Sequence, residues 1–223
     1  MHISIIIPAL NEEQAIGETL ASVAREKPCE VIVADGGSQD RTCEIASRYA
    51  TVLTCAPGRA RQMNAGARRA AGDVFLFLHA DTQLPVCGLA KVAEALGAGA
   101  CAGRFRMRFD RPHPLLAFYA FQTRFHFFSY GDQGFFVRRD LFGELGGFRE
   151  DVPFEDIDFY SRLSKVQKPV ILKEAVVTSA RRFSANGLVR QKCMNMALAS
   201  LYYLGWPAER LASLKEKWYP DIR

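Results

Sequence analysis

The chain has 223 residues, 49% of them hydrophobic and 24% charged, with a formal net charge of +5, which fits one globular domain large enough to bury a sizeable core. Its apolar runs fall far short of the roughly 20 residues that cross a bilayer, and its N-terminus lacks the basic and long apolar regions of a signal peptide, so it is expected in the cytosol. Six scattered cysteines, with no CxxC pair and no histidine at ligand spacing, support neither a zinc site nor a redox motif, while the modest positive charge suits anionic ligands or an acidic membrane surface without choosing between them.

An apolar run from Ile3 to Ile7 breaks at Pro8 and delivers Asn11, Glu12 and Glu13. Helical spacing follows at Ile16, Leu20 and Val23, and the predicted helix runs from Asn11, with its two glutamates as a start signal, to Lys27 before Pro28. A second strand, Glu30 to Ala34, ends at Asp35 and the turn Gly36, Gly37, Ser38, whose glycines let the backbone approach a ligand. Asp40 and Thr42 open a helix through Tyr49, and Thr51 to Cys55 completes a βαβαβ opening. Pro57 to Ala71 reads as an Ala-rich helix carrying Arg59, Arg61, Arg68 and Arg69, closed by Gly72 and Asp73.

The next strand, Val74 to Leu78, ends at His79, Ala80 and Asp81, and a helix is expected from Val86 to Leu96. Ala102 to Phe109 alternates, with Arg104, Arg106 and Arg108 on one face and Phe105, Met107 and Phe109 on the other, the pattern of an edge or antiparallel strand. Leu115 to Tyr130 is aromatic, with Phe118, Tyr119, Phe121, Phe125, Phe127 and Phe128 interrupted by Arg124 and His126. A helix packed on the sheet and a surface facing a membrane or acceptor both account for it. Gly187 to Leu214 is helical in pattern and leads to a tail with Trp218 and Tyr219.

Three buried strands therefore end at polar or acidic groups, and the carboxyl ends of parallel strands are where an open α/β sheet binds ligands. The glycine fingerprint of dinucleotide enzymes is absent after the first strand and no GxxxxGK[ST] loop occurs, which removes the dehydrogenase and P-loop readings. In the pocket that remains, Asp35 can hydrogen-bond a base or ribose. Asp81 can take a divalent cation bridging a diphosphate, and Arg59 and Arg61 can meet the same anion. Each has a plainer reading, Asp35 as a cap of the following helix and His79 as a satisfied strand-end histidine.

The ordered blocks IIPALNEE, VIVADGGSQD, GRARQMNAG, FLFLHADT, GDQGFFVRRDLFGELGGF and FEDIDFYSRL resemble those of the family-2 inverting glycosyltransferases of the GT-A fold, over Ile3 to about Leu163. The chain is most similar to small soluble bacterial members with HAD and GDQG blocks. The resemblance implies an α/β fold of GT-A type, a Rossmann-like mixed sheet flanked by helices with a helical C-terminus. It implies a single domain over 1–223, with a nucleotide-binding half over 1–100 and an acceptor-binding half with the C-terminal helices over 101–223.

It further implies that Pro8, Asn11 and Glu12 line the nucleotide pocket, that Asp35 reads a uracil-type base or its ribose, and that Arg61 flanks the diphosphate. By the same resemblance Asp81 is expected to hold Mn²⁺ or Mg²⁺, Asp132 and Gln133 to touch the donor sugar or the acceptor, and Asp156 to be the general base with Glu155 as its neighbour. Arg181 and Arg182 stand where related enzymes place basic residues over the diphosphate. Two departures from the family pattern are His79, in place of the first carboxylate of an Asp-x-Asp triplet, and Gly37, which lengthens the usual DGS turn. The expected donor is a UDP- or GDP-linked sugar. The acceptor is left open, a lipid-like one included, with no nucleic acid and with peripheral contact at the inner membrane. A catalytically inactive sugar-nucleotide-binding or regulatory protein is the alternative that the altered triplet keeps open, and a nucleotidyltransferase lacks its phosphate loop here.

Overall fold

The computed structural model describes residues 1–126 and 131–218. Phe127, Phe128 and Tyr219 of the sequence reading lie outside the described residues.

Strands β1 (Ile3–Ala9), β2 (Glu30–Asp35), β3 (Thr51–Thr54) and β4 (Val74–Phe77) are parallel, in the order β3-β2-β1-β4. β1 is buried along its whole length because helices cover both of its faces. Ile5 and Ile7 pack with Ile16, Leu20 and Val23 of α1 (Ile16–Arg25), while Ile6 points the other way, to Ala60, Met63 and Ala67 of α3 (Arg59–Arg69). A Cβ on Gly66 of α3 would stand 2.4 Å from Ile6 Cγ2, so glycine at this place lets the helix lie directly on the strand. The short α2 (Thr42–Ala46) connects β2 to β3.

Beyond β4 the sheet becomes mixed. β7 (Phe135–Arg138) is antiparallel to β4, β6 (Ala102–Phe109) is antiparallel to β7, β8 (Val170–Thr178) is parallel to β6, and the two-residue β5 (Thr82–Gln83) closes the eight-stranded sheet. The remaining helices are α4 (Gly88–Gly97), α5 (Pro114–Gln122), α6 (Arg139–Glu144), α7 (Glu155–Val166), α8 (Arg181–Asn186), α9 (Leu188–Tyr203) and α10 (Ala208–Trp218).

Several expectations are corrected. The helix expected from Asn11 starts only at Ile16, because Asn11 adopts φ 53° and is tied to the turn after β2: its amide donates to Ser38 Oγ at 2.9 Å and its Oδ1 accepts from the Gln39 amide at 2.9 Å. At the other end Lys27 takes φ 50°, two residues after α1 stops. The helix expected through Tyr49 ends at Ala46, and the one expected from Val86 begins at Gly88.

β6 pairs antiparallel with β7 but is interior, not an edge. Its arginines differ accordingly: Arg104 is buried, donating to the carbonyls of Thr123 at 2.7 Å and Phe125 at 2.9 Å, whereas Arg108 is exposed. The aromatic stretch is divided. Leu116 and Tyr119 are buried in a small cluster with Ala180, while Phe118, Phe121 and Phe125 face outward.

Candidate active site

β2 and β4 flank β1, the one reached through α1 and the other after a crossover past β3, so the chain reverses its direction across the sheet at β1. Such a switch point opens a crevice at the carboxyl ends of its strands. A cavity of about 330 Å³ lies there. Pro8 reaches it from the end of β1 and Glu12 from the loop beyond, His79 and Asp81 from beyond β4, and Arg59 from the start of α3. From the second half come Asp132 of the turn Gly131–Gln133, Glu155 and Asp156 at the start of α7, Arg182 of α8, Lys192 of α9 and Lys215 of α10.

Backbone hydrogen bonds fix the segment after β4. The Leu78 amide donates to the Ile6 carbonyl at 3.0 Å, the Thr82 amide to the His79 carbonyl at 3.1 Å, and the Ser179 amide to the Asp81 carbonyl at 3.2 Å. This tight turn presents His79 and Asp81 side by side. Burial, then the cations Arg59 and Arg182, hold the His79 imidazole well below its ordinary pKa, so it stands neutral.

The cavity is lined by both signs of charge. Arg59 Nη1 lies 3.4 Å from Glu155 Oε1; burial works against the guanidinium's charge, but Glu155, Asp156, Asp81 and Asp132 outweigh it and raise its pKa. Arg181 pairs with Glu12 and lies 3.4 Å from Asp81 Oδ2. Burial raises the Glu12 pKa against the opposing pull of Arg181. Asp132 is pushed up to about 6, by burial first and then by Asp156 and Asp81, and its Oδ1 has no hydrogen-bond partner among the described residues. Asp156, in the first turn of α7, takes the Ile157 amide on Oδ1 at 2.9 Å.

On the far side Lys192 stands 4.8 Å from the Tyr119 ring centroid, and Lys215 donates to the Pro153 carbonyl at 2.5 Å; burial lowers the pKa of both ammonium groups. Carboxylates, cations and a strand-end acid meeting in one crevice can bind a phosphorylated ligand and remove a proton beside it.

Residues 4–152 match the family model described as glycosyl transferase family 2, more than half of the chain. The chain belongs to glycosyl transferase family 2. Among its relatives is the undecaprenyl-phosphate 4-deoxy-4-formamido-L-arabinose transferase of Pectobacterium atrosepticum, 32% identical over 112 residues, covering 44% of this chain and 34% of that protein. Another is the probable glycosyltransferase YdaM of Bacillus subtilis, 25% identical over 208 residues, covering 79% of this chain and 50% of that one. This family-2 chain thus spans a third to a half of the length of these curated relatives.

Among solved structures, the Pyrobaculum calidifontis mannosyltransferase in complex with GDP-Man and Mn²⁺ is similar at a TM-score of 0.69 and 19% identity, over 98% of this chain and 69% of that one. S. aureus TarS 1-349 in complex with UDP-GlcNAc is similar at 0.66 and 21% identity, over 80% and 58%. The likeness shows the GT-A fold.

Of the residues singled out from the sequence, Pro8, Glu12, Asp81, Asp132, Glu155 and Asp156 line the one cavity. Four do not. Asn11 belongs to the loop described above, and Gln133 is buried in the turn Gly131–Gln133. Asp35 is 2% exposed, and its carboxylate accepts from the amides of Gly37 and Ser38 and from Ser38 Oγ. Arg61 lies on the surface with Glu150 3.4 Å away, and Arg59, two residues earlier on α3, faces the cavity instead.

Sequence reasoning passed over three contributors to this candidate site. Gln62 Nε2 donates to the Ala9 carbonyl at 2.6 Å and the Ala34 carbonyl at 2.9 Å, joining the ends of β1 and β2. Lys192 and Lys215 come from helices far along the chain, and nothing in their local sequence marks them.

Proposed function

We propose that this chain transfers a sugar from a UDP- or GDP-linked donor to an acceptor hydroxyl with inversion, in a reaction that uses a divalent cation. The observation that carries the reading is the meeting, in one crevice at the β1/β4 switch point, of the strand-end Asp81, the cations Arg59 and Arg182, and the Glu155–Asp156 pair. In this reading residues 1–100 hold the nucleotide and residues 101–223 the acceptor.

Among the described residues no group of three His, Cys, Asp or Glu side chains stands ready to cage a metal. Mg²⁺ and Mn²⁺ do not need one, since they bind through one or two carboxylates and take their remaining oxygens from phosphates and water. Asp81, with Asp132 lining the same cavity, fits that demand. When bound, the cation would neutralise charge on the departing diphosphate. The solved complexes named above, one of which contains Mn²⁺ with GDP-Man, support the same chemistry.

The chain's own residues do the rest. Arg59 and Arg182 meet the diphosphate, with Glu155 orienting Arg59. Asp156 takes the proton of the acceptor hydroxyl as its oxygen attacks the anomeric carbon; the bond from that carbon to the diphosphate breaks, and the leaving charge stays on the nucleotide. Asp35 and Asn11 shape the wall on the nucleotide side through the β2 turn, and His79, neutral, can donate or accept one hydrogen bond beside Asp81. An acceptor with lipid character is supported by the name of the Pectobacterium relative.

The test is thermal unfolding with UDP-, GDP- and other nucleotide sugars, each with Mn²⁺ and with chelator. Stabilisation by a nucleotide sugar that disappears with chelator supports the reading. Stabilisation by none of them, or equally with chelator, refutes the donor class or the cation respectively.

A further inference from the structure

α5 presents two different faces. Leu116 and Tyr119 pack with Ala180, Phe183 and Leu188, and Tyr119 and Thr123 line the catalytic cavity. Leu115, Phe118 and Phe121 of α5 are 38%, 56% and 49% exposed at three-residue spacing, and Phe125, three residues past the end of the helix, is 53% exposed with its ring edge-on to Phe121 at 6.0 Å. Contiguous exposed aromatics of this kind mark an interaction surface.

The charge around this face says what it fits. No Asp or Glu occurs between Arg111 and Gly131, and none between Ala175 and Ala208, the two stretches that supply α5, α8 and α9. Arg111 and Arg124 are exposed, and the Arg124 guanidinium stands 4.9 Å from the Phe121 ring centroid, so a cation and an aromatic share the outer face. α9, whose Lys192 packs on Tyr119, repeats the pattern with exposed Val189, Met196 and Tyr203 at seven-residue intervals. Aromatic side chains flanked by arginines, with the exposed Asp110, which accepts the Ala180 amide, as the acid bordering the stretch, suit the boundary between acyl chains and anionic headgroups. No helix among the described residues is long and apolar enough to cross a membrane, so the contact is with a surface.

We propose that the outer face of α5, with the turns that flank it, docks on an anionic lipid bilayer, with Phe118, Phe121 and Phe125 at the headgroup boundary and Arg111 and Arg124 on lipid phosphates. One helix then separates lipid from the cavity, since the inner face of α5 is a cavity wall. The proposal goes beyond sugar transfer and does not require it.

The experiment is flotation of the full chain with vesicles of phosphatidylcholine alone and of phosphatidylcholine with phosphatidylglycerol, at low and high salt, without donor or acceptor. The wild type should float with the anionic vesicles only, less so in high salt. The double variant Phe118→Ser, Phe121→Ser should lose at least about tenfold in vesicle affinity, and Arg124→Gln several-fold, with unchanged circular dichroism. Equal flotation with neutral vesicles, flotation of the variants like the wild type, or no flotation of a folded wild type would each overturn the proposal. A wild-type dimer that the double variant converts to monomer, without flotation of either, assigns the face to a second copy of the chain instead. Because no sugar transfer is measured, failure here leaves the transferase reading untouched, and failure of that reading leaves this one.

Discussion

Arg181 joins Glu12 to Asp81: the guanidinium pairs with Glu12 from the loop after β1 and lies 3.4 Å from Asp81 Oδ2, beyond the end of β4. The two strands of the switch point are thereby linked through one cation of α8, which holds the Asp81 carboxylate when no ligand is bound.

A divalent cation approaching Asp81 must therefore compete with Arg181. The variant Arg181→Gln removes that competitor and keeps a polar side chain of similar reach. A partly buried ion pair of this kind is worth about 1 kcal/mol, so Mn²⁺ binding to the nucleotide-free protein should tighten about fivefold, read by calorimetric titration. Unchanged or weaker Mn²⁺ binding in a folded variant would mean that Asp81 is not the cation's ligand.

Asp132 gives a pH dependence with a definite sign. Its carboxyl pKa stands at about 6 against 3.8 for an ordinary aspartate, so the stability its protonated form contributes is fully present below about pH 4 and is lost as pH rises through about 6. At about 1.4 kcal/mol per pKa unit the difference is worth on the order of 3 kcal/mol. Asp132→Asn stays neutral at every pH. In denaturant unfolding with chelator present, it should be more stable than wild type at pH 7, and the advantage should vanish near pH 4.

Gln62 should matter for stability although it lines only the edge of the cavity. It is 4% exposed and satisfies the carbonyls of Ala9 and Ala34. Gln62→Met keeps the volume and removes the Nε2 donor, so the Ala34 carbonyl loses this bond and the Ala9 carbonyl keeps only the Gly36 amide, at a cost of about 1–3 kcal/mol. Urea unfolding measures it, and a loss below the error of the method would show that the strand ends are held together without this amide.

The parts of the fold that were legible in the sequence are those governed by local periodicity. β1, β2 and β4 announced themselves as apolar runs ending at Pro8, Asp35 and His79. What was not legible depends on contacts between distant segments. Asn11 resembles a helix start, yet Ser38 and Gln39 take its hydrogen bonds and draw it into another turn. Arg104 alternates with Phe105 as if facing solvent, but the carbonyls of Thr123 and Phe125 bury it.

The site follows the same division. Asp81 and Asp156 end or begin regular elements and are visible in the chain, whereas the exchange of Arg61 for Arg59 turns on which side of α3 faces the crevice, and Lys215 enters from a helix with no motif of its own.

The central claim is that Asp156 accepts the proton of the acceptor hydroxyl. The most direct measurement compares wild type with Asp156→Asn, following donor affinity by calorimetry and sugar release from the nucleotide, to acceptor or to water, in the same preparations with Mn²⁺. An amide of the same shape fills the site but cannot take the proton, so the account predicts nearly unchanged donor affinity and turnover reduced by about 10² to 10⁴. Turnover of the variant at the wild-type rate, with the wild type active, would contradict it.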